Sequence, residues 1–379
     1  MSLRFTVEAQ AGQARRGRLE TPHGRIETPT FMPVGTLGAV KGMDAAGLET
    51  AGAAVMLANL YHLRMRPGIE AIEAVGGLHR FCGWQRPMLT DSGGFQVWSL
   101  ASLRRVDADG VTFSSHIDGA RIRFTPHDVV AWQLRLGVDI AMVLDECPPW
   151  PITEAEAAAS LARTVRWAQQ ARAAWADEAL LPGSATAARG GLFGIVQGSA
   201  YRSLRAQAVD ALAALNFDGY AIGGVSVGED LPHRRDVVSW TAPALPAHRP
   251  RYLMGLGTPL DIVHAVGCGV DLFDCVLPSR NARHGTLFAR DGVIRIKTAR
   301  YRRDPRPVDA ACSCPLCTRY SRAFLHHLMR SGEITGRMLA TAHNLRFYLD
   351  FMRDLREGIE LGSLTARVEE TVRRYDERG

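Results

Sequence analysis

Residues 140–144 read Ile-Ala-Met-Val-Leu, an unbroken apolar run that ends at Asp145 and is followed by helical spacing over residues 152–175. A run without polar alternation is typical of a strand buried on both faces of a parallel sheet. Similar short runs lie at residues 31–34, 55–58, 87–90, 192–196, 220–222, 252–254 and 270–273, most of them separated by helical segments. The pattern predicts eight strand–helix units.

Eight such units over 379 residues favour an α/β fold of the (β/α)8 TIM-barrel type. An open doubly wound sheet stays possible at this point, because periodicity does not show whether a sheet closes. We expect residues 1–379 to form a single catalytic barrel. Residues 1–28 alternate polar and apolar and predict a small N-terminal antiparallel sheet, and residues 104–125 predict hairpins. Residues 279–345 are predicted to be a C-terminal subdomain inserted within the barrel.

Polar residues and glycines follow the apolar runs at their carboxyl ends, which is the face where barrel enzymes place their chemistry. Loops also collect aspartate and glycine for structural reasons, which explains some of these positions but explains all of them together less readily. The residues concerned are Asp91, Asp145, Gln197, Gly223, Gly224, Gly255, Gly257 and Asp274.

The charge of the chain favours anionic partners only weakly. The formal net charge is +6 and the pI is about 9.1. Lysine occurs only at Lys41 and Lys297, so nearly all the positive charge is arginine, whose planar group binds phosphate through two parallel hydrogen bonds. A compositional habit of the source genome explains the arginines equally well.

The sequence also carries signals about the compartment of the protein. The N-terminus has no apolar signal-peptide segment, and no stretch approaches the roughly 20 apolar residues that cross a bilayer. Seven cysteines, an odd number, argue against a disulfide framework. We therefore expect a cytoplasmic protein.

A cysteine cluster predicts a metal site. Cys312, Cys314 and Cys317 stand within six positions, and His343 follows after 25 residues. Three thiolates and one imidazole make a closed tetrahedral shell for Zn2+, which leaves no position for a reacting water and so indicates one structural zinc per chain. The subdomain at residues 279–345 is therefore predicted to bind zinc. The fourth ligand stays open, because His326 and His327 compete with His343.

Two acidic motifs carry the chemistry. Residues 90–96 read Thr-Asp-Ser-Gly-Gly-Phe-Gln, and residues 273–283 read Phe-Asp-Cys-Val-Leu-Pro-Ser-Arg-Asn-Ala-Arg. Two carboxylates that meet at strand ends act as nucleophile and general acid/base on a glycosidic carbon. Arg280 and Arg283 suit a phosphate-bearing substrate. A helix N-cap is the competing structural role, and it competes better for Asp91 than for Asp274, which Pro278 soon follows.

These motifs, in their order along nearly the whole chain, resemble those of the bacterial-type tRNA-guanine transglycosylases. The resemblance also includes residues 28–36, 59–63, 145–147, 194–198 and 254–257 and the zinc ligands. Members of that family are (β/α)8 barrels with a structural zinc. They exchange guanine at the wobble position of certain tRNAs for a 7-deazaguanine, on the route to queuosine.

The resemblance implies a role for each acidic residue. Asp274 would attack the ribose C1′, expel guanine and hold the tRNA as a covalent ester that the incoming base displaces. Asp91 would be the general acid/base. The tRNA would carry a guanine at position 34, the incoming base would be preQ1, and the protein would be a homodimer. Cys147 and Val227 match members that use preQ1.

The resemblance also assigns binding residues. The base would be held by Ser92, Phe95, Asp145, Gln197, Gly224, Val225 and Met254, of which Phe95 and Met254 would otherwise be interpreted as core residues. The tRNA would be held by Gly255, Gly257, Asp261, Ser279, Arg280, Asn281 and Arg283. Ser279 stands where threonine is expected and His284 where asparagine is common, which bears on the tRNA contacts.

Two alternative functions remain at this stage. Residues 224–228 read Gly-Val-Ser-Val-Gly, the elbow pattern of an α/β serine hydrolase, with Ser226 as nucleophile and His264 downstream. That elbow needs the serine directly between strand and helix, whereas Pro232 indicates a later helix start. The other alternative is a non-catalytic tRNA-binding subunit, which would lack the two aspartates that this chain has.

Overall fold

The computed structural model describes residues 3–99, 104–114, 119–181 and 189–375. Its strands are β1 (Arg4–Ala11), β2 (Ala14–Thr21), β3 (Gly24–Thr28), β4 (Thr30–Met32), β5 (Met56–Ala58), β6 (Met88–Thr90), β7 (Arg104–Asp107), β8 (Gly110–Ser114), β9 (Arg121–Phe124), β10 (Ile140–Met142), β11 (Gly191–Val196), β12 (Gly219–Ile222), β13 (Arg251–Leu253), β14 (Leu272–Asp274), β15 (Thr286–Ala289) and β16 (Gly292–Arg295).

The helices of the described ranges are α1 (Ala45–Ala51), α2 (Leu60–Met65), α3 (Ile69–Ala74), α4 (Leu78–Cys82), α5 (Gly94–Ser99), α6 (Pro126–Leu136), α7 (Glu154–Ala176), α8 (Arg202–Ala213), α9 (Leu231–Ala244), α10 (Pro259–Gly267), α11 (Leu277–His284), α12 (Pro315–Arg319), α13 (Arg322–Ser331), α14 (Ile334–Glu360) and α15 (Leu364–Tyr375). Short 3-10 turns lie at Glu178–Leu180 and Ala299–Tyr301. Each of these helices is too short or too polar to span a membrane.

Eight parallel strands form the central sheet, in the order β4, β14, β13, β12, β11, β10, β6, β5. The two ends of this order meet through a parallel bridge between Val34, just after β4, and Leu57 of β5. Leu57 donates a 3.0 Å hydrogen bond to the carbonyl of Pro33 and accepts a 2.7 Å bond from the amide of Gly35. These bonds bring the sheet round into the predicted barrel, and the open-sheet alternative is wrong.

The barrel strands are short and buried on both faces, as expected for a parallel sheet covered by helices. All six residues of β11 are buried, as are all residues of β5, β6, β10, β12 and β13. Capping fixes where several helices begin. Thr153 and Glu156 form a capping box at α7, and Thr258 and Asp261 form one at α10.

Three smaller sheets are added to the barrel. β1, β2 and β3 pair antiparallel, which confirms the predicted N-terminal sheet. β7, β8 and β9 pair antiparallel within the predicted hairpin region. β15 and β16 form a hairpin in the C-terminal region, where a second apolar cluster is separate from the main core. That cluster, drawn from residues 282–340, includes Leu287, Ile296 and Leu325, and the domain boundaries 1–379 and 279–345 stay a prediction.

Candidate active site

A cleft of about 480 Å³ lies at the carboxyl ends of the barrel strands. Three carboxyl groups line it, from Asp91 after β6, Asp145 after β10 and Asp274 at the end of β14. The two predicted catalytic aspartates therefore meet in one cavity, at the face of the barrel where parallel strands expose their carboxyl ends.

Asp274 is held through one of its two oxygens. Its Oδ1 accepts a 2.7 Å hydrogen bond from the hydroxyl of Tyr252 and another of 2.7 Å from the amide of Gly255. Burial raises the pKa of Asp274 above its ordinary value, and the two hydrogen bonds oppose that rise. Oδ2 has no hydrogen-bond donor among the described residues, so this oxygen is available to a ligand.

Asp91 is bonded to the start of the neighbouring helix α2. Its Oδ2 accepts from the side-chain amide of Asn59, and its Oδ1 accepts a 2.9 Å bond from the amide of Leu60. Burial raises the pKa of Asp91 to about 7, and the charge of Asp274 adds to the rise while the amide of Leu60 opposes it. A carboxyl group that titrates near neutrality both gives and takes a proton under physiological conditions.

Asp145 forms a polar cluster with two neighbours. It accepts a 2.7 Å hydrogen bond from Gln197 Nε2, and Ser92 Oγ lies 3.5 Å from its other oxygen. Burial raises the pKa of Asp145 to about 6. Gly94 packs against this carboxylate so closely that an added Cβ would lie 1.7 Å from Asp145 Oδ1. Gln197 Oε1 is buried without a hydrogen-bond partner in the described part of the chain, so it is an open acceptor.

The loop after β12 forms one wall of the cleft. Gly223, Gly224 and Val225 line it, and the amides of Gly224 and Val225 have no hydrogen-bond acceptor among the described residues. Further along, Glu229 accepts hydrogen bonds from the amides of Ser226 and Val227, the second of 2.8 Å. The wall therefore presents donors beside the open acceptor of Gln197.

The apolar sides of the cleft come from residues that sequence pattern alone assigns to the core. Phe95 lines the cleft with 50% of its surface exposed, and Met254 lines it half-buried. Cys147 and Val227 also line it and are buried. A flat aromatic ligand would contact apolar surface here and polar groups at its edge.

Some of the predicted tRNA-binding residues lie outside the cleft. Gly255 and Arg280 line it. Asp261 instead accepts from Thr258 Oγ1 as a helix cap, and an added Cβ at Gly257 would lie 2.2 Å from Cys275 Sγ. Ser279 is buried against the carbonyl of Val276.

Asn281 and Arg283 are also outside the lining of the cleft, and both are half-buried on α11. Arg283 Nη1 has no hydrogen-bond partner in the described ranges. The assignment of these residues to tRNA stays a prediction.

The hydrolase alternative finds no support in this geometry. Ser226 has a φ of 69°, but α9 begins only at Leu231, as Pro232 predicted. His264 lies 3.3 Å from Ser239 Oγ and 3.2 Å from the carbonyl of Arg235, and the structure records no bond between it and Ser226. The elbow pattern at residues 224–228 is therefore part of a wall loop.

The cysteine cluster forms as predicted. The ligand atoms of Cys312, Cys314, Cys317 and His343 all lie within 4.8 Å of one another. His343 Nδ1 is 3.5 Å from Cys314 Sγ and 3.3 Å from Cys317 Sγ, and its Nε2 is 2.8 Å from the carbonyl of Phe288. That carbonyl fixes the tautomer with Nδ1 free for a metal.

Neither of the two histidines that compete with His343 in the sequence, His326 and His327, belongs to the cluster. His326 Nδ1 is 2.8 Å from the carbonyl of Ile296. The fourth group of the cluster is therefore His343 rather than His326, and the donor set of three sulfurs and one nitrogen fits a metal ion.

Sequence reasoning missed several residues that position the site. Asn59 lies in the family-like motif at residues 59–63, so the sequence carries a signal for it but no role. Tyr252 looks like any apolar residue of a strand, and Arg205 is one arginine among many. Their contacts come from distant parts of the chain, which no local pattern reports.

Comparisons with known proteins find similar chains over nearly the whole length of the sequence. A family model described as queuine tRNA-ribosyltransferase matches residues 10–377. The chain is 51% identical over 362 residues to a queuine tRNA-ribosyltransferase of Aromatoleum aromaticum, covering 96% of each chain. It is 49% identical to that of Methylibium petroleiphilum, again over 96% of each chain. It is 50% identical to that of Thioalkalivibrio sulfidiphilus, over 97% of this chain and 96% of the relative.

Proposed function

The chain belongs to the queuine tRNA-ribosyltransferase family and is a tRNA-guanine transglycosylase, and we propose that it exchanges guanine at wobble position 34 of queuosine-family tRNAs for preQ1 through a covalent aspartyl-ribose intermediate. The observation that carries this proposal is the meeting of Asp91 and Asp274 in one cleft, with different hydrogen-bond partners and both with raised pKa values.

Asp274 is the proposed nucleophile. Oδ1 is held by Tyr252 and Gly255, so Oδ2 is the oxygen that forms a bond to the ribose C1′ while the bond from C1′ to N9 of guanine breaks. The bonding electron pair leaves with N9. Attack by the incoming base on C1′ from the opposite side returns the electron pair to Asp274, so two inversions give net retention.

Asp91 is the proposed proton donor and acceptor. With a pKa of about 7, a large fraction of this carboxyl group carries the proton that the departing N9 requires. The carboxylate that remains then takes the proton from N9 of the incoming base. The amides of Asn59 and Leu60 hold the ionised form in place between the two half-reactions.

The polar wall supports recognition of a guanine-like edge. Asp145 offers carboxylate oxygens to the ring and amino N–H groups, while Gln197 and the amides of Gly224 and Val225 offer acceptors and donors to the opposite groups. Phe95 and Met254 supply flat apolar contact, worth about 1–3 kcal/mol for a stacked base.

The proposal that preQ1 is the incoming base rests on two side chains that line the cleft. Cys147 and Val227 are small, buried and part of the lining, which leaves room for a substituent on the five-membered ring. Arg280 is exposed and lines the cleft, which supports the proposed contact with a tRNA phosphate. Gly255, Gly257, Asp261, Ser279, Asn281 and Arg283 complete the proposed tRNA-binding set.

We further propose that the metal bound by Cys312, Cys314, Cys317 and His343 is zinc, one per chain. Four protein ligands fill a tetrahedral shell, so the ion supplies structural stability and no chemistry. It would join α12, which carries Cys317, to α14, which carries His343, and so fix the subdomain of residues 279–345 against the barrel.

The homodimer and the cytoplasmic location are part of the same proposal. Apolar side chains are exposed on the outside of the metal subdomain, with Phe324 40%, Ile334 70% and Met338 48% exposed, and a second copy of the chain would cover them. A tRNA substrate places the enzyme in the cytoplasm. Sedimentation of the wild type and of Ile334→Glu tests the dimer, which the charged variant should weaken.

Incorporation of labelled guanine into a tRNA with a G34 anticodon tests the function. We expect the wild type to incorporate label, and Asp274→Asn to abolish incorporation and the tRNA–protein adduct seen on a denaturing gel. Asp236→Asn, an exposed acid on α9, is the matched control and should exchange normally. Exchange that survives in Asp274→Asn would contradict the assignment of Asp274 as nucleophile. The hydrolase alternative instead predicts that the wild type cleaves an ester probe and that Ser226→Ala does not.

A further inference from the structure

A fully buried arginine lies behind the wall of the cleft. Arg205 of α8 is 1% exposed, and its guanidinium donates only to backbone carbonyls. One lies at the end of β11 and one follows it, with Nη1 2.9 Å from Val196 O and Nε 2.7 Å from Ser199 O. Two follow β12, with Nη1 2.8 Å from Gly223 O and Nη2 3.3 Å from Gly224 O.

In the described part of the chain no carboxylate lies within ion-pair distance of the Arg205 guanidinium, and Glu229 acts on its charge only through a longer-range Coulomb interaction. Burial lowers the pKa of the Arg205 guanidinium to about 10, so it still carries its charge at neutral pH. Burying an unpaired cation is costly, and a neutral donor would bridge the two loops at a smaller cost. The charge itself therefore requires an explanation.

Two of the four carbonyls that Arg205 contacts, those of Gly223 and Gly224, belong to peptide groups that line the cleft. The carbonyl of Gly223 and the amide of Gly224 form one peptide group, and the carbonyl of Gly224 and the amide of Val225 form the next. Both amides lack an acceptor among the described residues and belong to cleft-lining residues. A cation at the carbonyl end of a peptide group polarises it and makes its N–H a stronger donor.

We propose that Arg205 is a positioning residue that strengthens the amides of Gly224 and Val225 as donors to the oxygen at carbon 6 of the purine-type base. This inference rests on the proposed base exchange. When the bond from C1′ to N9 breaks, part of the electron pair that N9 receives is delocalised to this oxygen. Donors already polarised towards it therefore stabilise the departing base more than the bound one.

The same arrangement gives specificity for an oxygen at carbon 6. Sulfur is a weaker hydrogen-bond acceptor, so 6-thioguanine keeps the rest of the guanine edge but gains less from the polarised amides. A buried charge that acts through peptide groups therefore raises the preference for guanine over 6-thioguanine. An arginine that merely joined two loops would affect both bases alike.

Inhibition of labelled preQ1 incorporation by guanine and by 6-thioguanine tests the inference in the full-length protein. We expect Arg205→Met to lower kcat and to reduce the ratio of the inhibition constant of 6-thioguanine to that of guanine by roughly threefold, because the amides remain but become weaker donors to a neutral oxygen. Arg205→Lys keeps the charge and should keep most of the ratio, and Arg205→Gln should lose it. An equal weakening of both bases, or an unchanged ratio, would overturn the proposal.

The design separates this inference from the proposed function. If the wild type incorporates no base, the proposed function fails; if the wild type incorporates base and the ratio is the same in Arg205→Gln, only the role of Arg205 fails. Should Arg205→Met not fold, the comparison of Arg205→Lys with Arg205→Gln decides, since both keep a side-chain donor and differ in charge. A higher ratio in Arg205→Gln than in Arg205→Lys would overturn the inference.

Discussion

The hydroxyl of Tyr252 donates a 2.7 Å hydrogen bond to Oδ1 of Asp274, the same oxygen that accepts from the amide of Gly255. Both donors thus contact one oxygen of the carboxylate. Tyr252 lies on β13 and Asp274 on β14, which pair in parallel register, so the barrel itself sets the distance between them. The bond favours the ionised carboxylate against the burial that raises its pKa.

Replacement of Tyr252 by phenylalanine tests this bond. Because the hydrogen bond stabilises the charged form, its loss raises the pKa of Asp274, and the acidic limb of the kcat/KM profile should move to higher pH. A bond to a charged group is worth about 1.5–3 kcal/mol, which predicts a fall in kcat/KM of roughly 10- to 100-fold below pH 6. Tyr348→Phe, which removes a buried hydroxyl bonded to Gly257 O, should leave the limb in place.

Replacement of Asn59 by serine tests the proposed role of Asp91 as proton donor. Serine keeps the N-cap of α2 but loses the amide that donates to Asp91. The pKa of Asp91, about 7, then rises, so the basic limb of kcat/KM should move up by about one pH unit. Asp44→Ser, at the cap of α1, is the control. A basic limb that stays in place, or that moves to lower pH, would contradict the assignment of Asp91.

Gly94→Ala tests the proposed binding of the base by Asp145 and Gln197. The added Cβ would lie 1.7 Å from Asp145 Oδ1, so the buried carboxylate must leave its bond with Gln197. We expect KM for the base to rise at least about tenfold, since each lost bond to a charged group weakens binding by that factor or more. Gly267→Ala, which meets no atom within 4 Å, should behave as wild type.

The metal cluster is tested by metal content. Wild type should retain one zinc per chain through dialysis, and Cys314→Ala and His343→Ala should lose it and melt at a lower temperature. Cys82→Ala and His326→Ala are the matched controls, because both residues lie outside the cluster. Zinc retained in both cluster variants, or lost in a control, would show that the ion is held elsewhere.

A pH-dependent contact joins the N-terminal sheet to the opposite end of the barrel. His23 Nδ1 lies 3.0 Å from the buried Asp139, and its ring stacks on His79 at 3.6 Å. The hydrogen bond to Asp139 raises the pKa of His23. Burial alone would raise the pKa of Asp139, but the bonds from His23 and His79 bring it below its ordinary value.

The sign of the stability effect follows from these two shifts. The contribution of His23 to the free energy of unfolding is fully present below pH 6.5 and is lost as the pH rises through the raised pKa of His23. The contribution of Asp139 to the free energy of unfolding is present above pH 3.8 and is lost as the pH falls through the lowered pKa of Asp139. Urea unfolding should therefore show the largest destabilisation by His23→Ala between these values, and a smaller one at pH 8. A destabilisation that grows at pH 8 would refute this, and His248→Ala is the exposed control.

Several features of this protein follow from the sequence alone. Unbroken apolar runs such as residues 140–144 predict buried parallel strands, and the observed strands agree with the predicted runs to within about two residues. The family motifs indicate both aspartates, and the spacing of Cys312, Cys314 and Cys317 predicts a metal site. These signals are local in the chain, where burial or ligation of a few consecutive residues dictates their type.

Only the tertiary structure decided the rest. The barrel closes because Leu57 meets the segment after β4. The fourth group of the metal cluster is His343 because this histidine, and not His326, reaches the cysteines. The pKa of Asp91 is near neutral because the carboxyl group is buried beside Asp274. Arg205 joins two loops only because α8 packs behind them. Each of these depends on the distance between residues far apart in the chain, since desolvation, Coulomb interaction and hydrogen bonding act through space and not along the sequence.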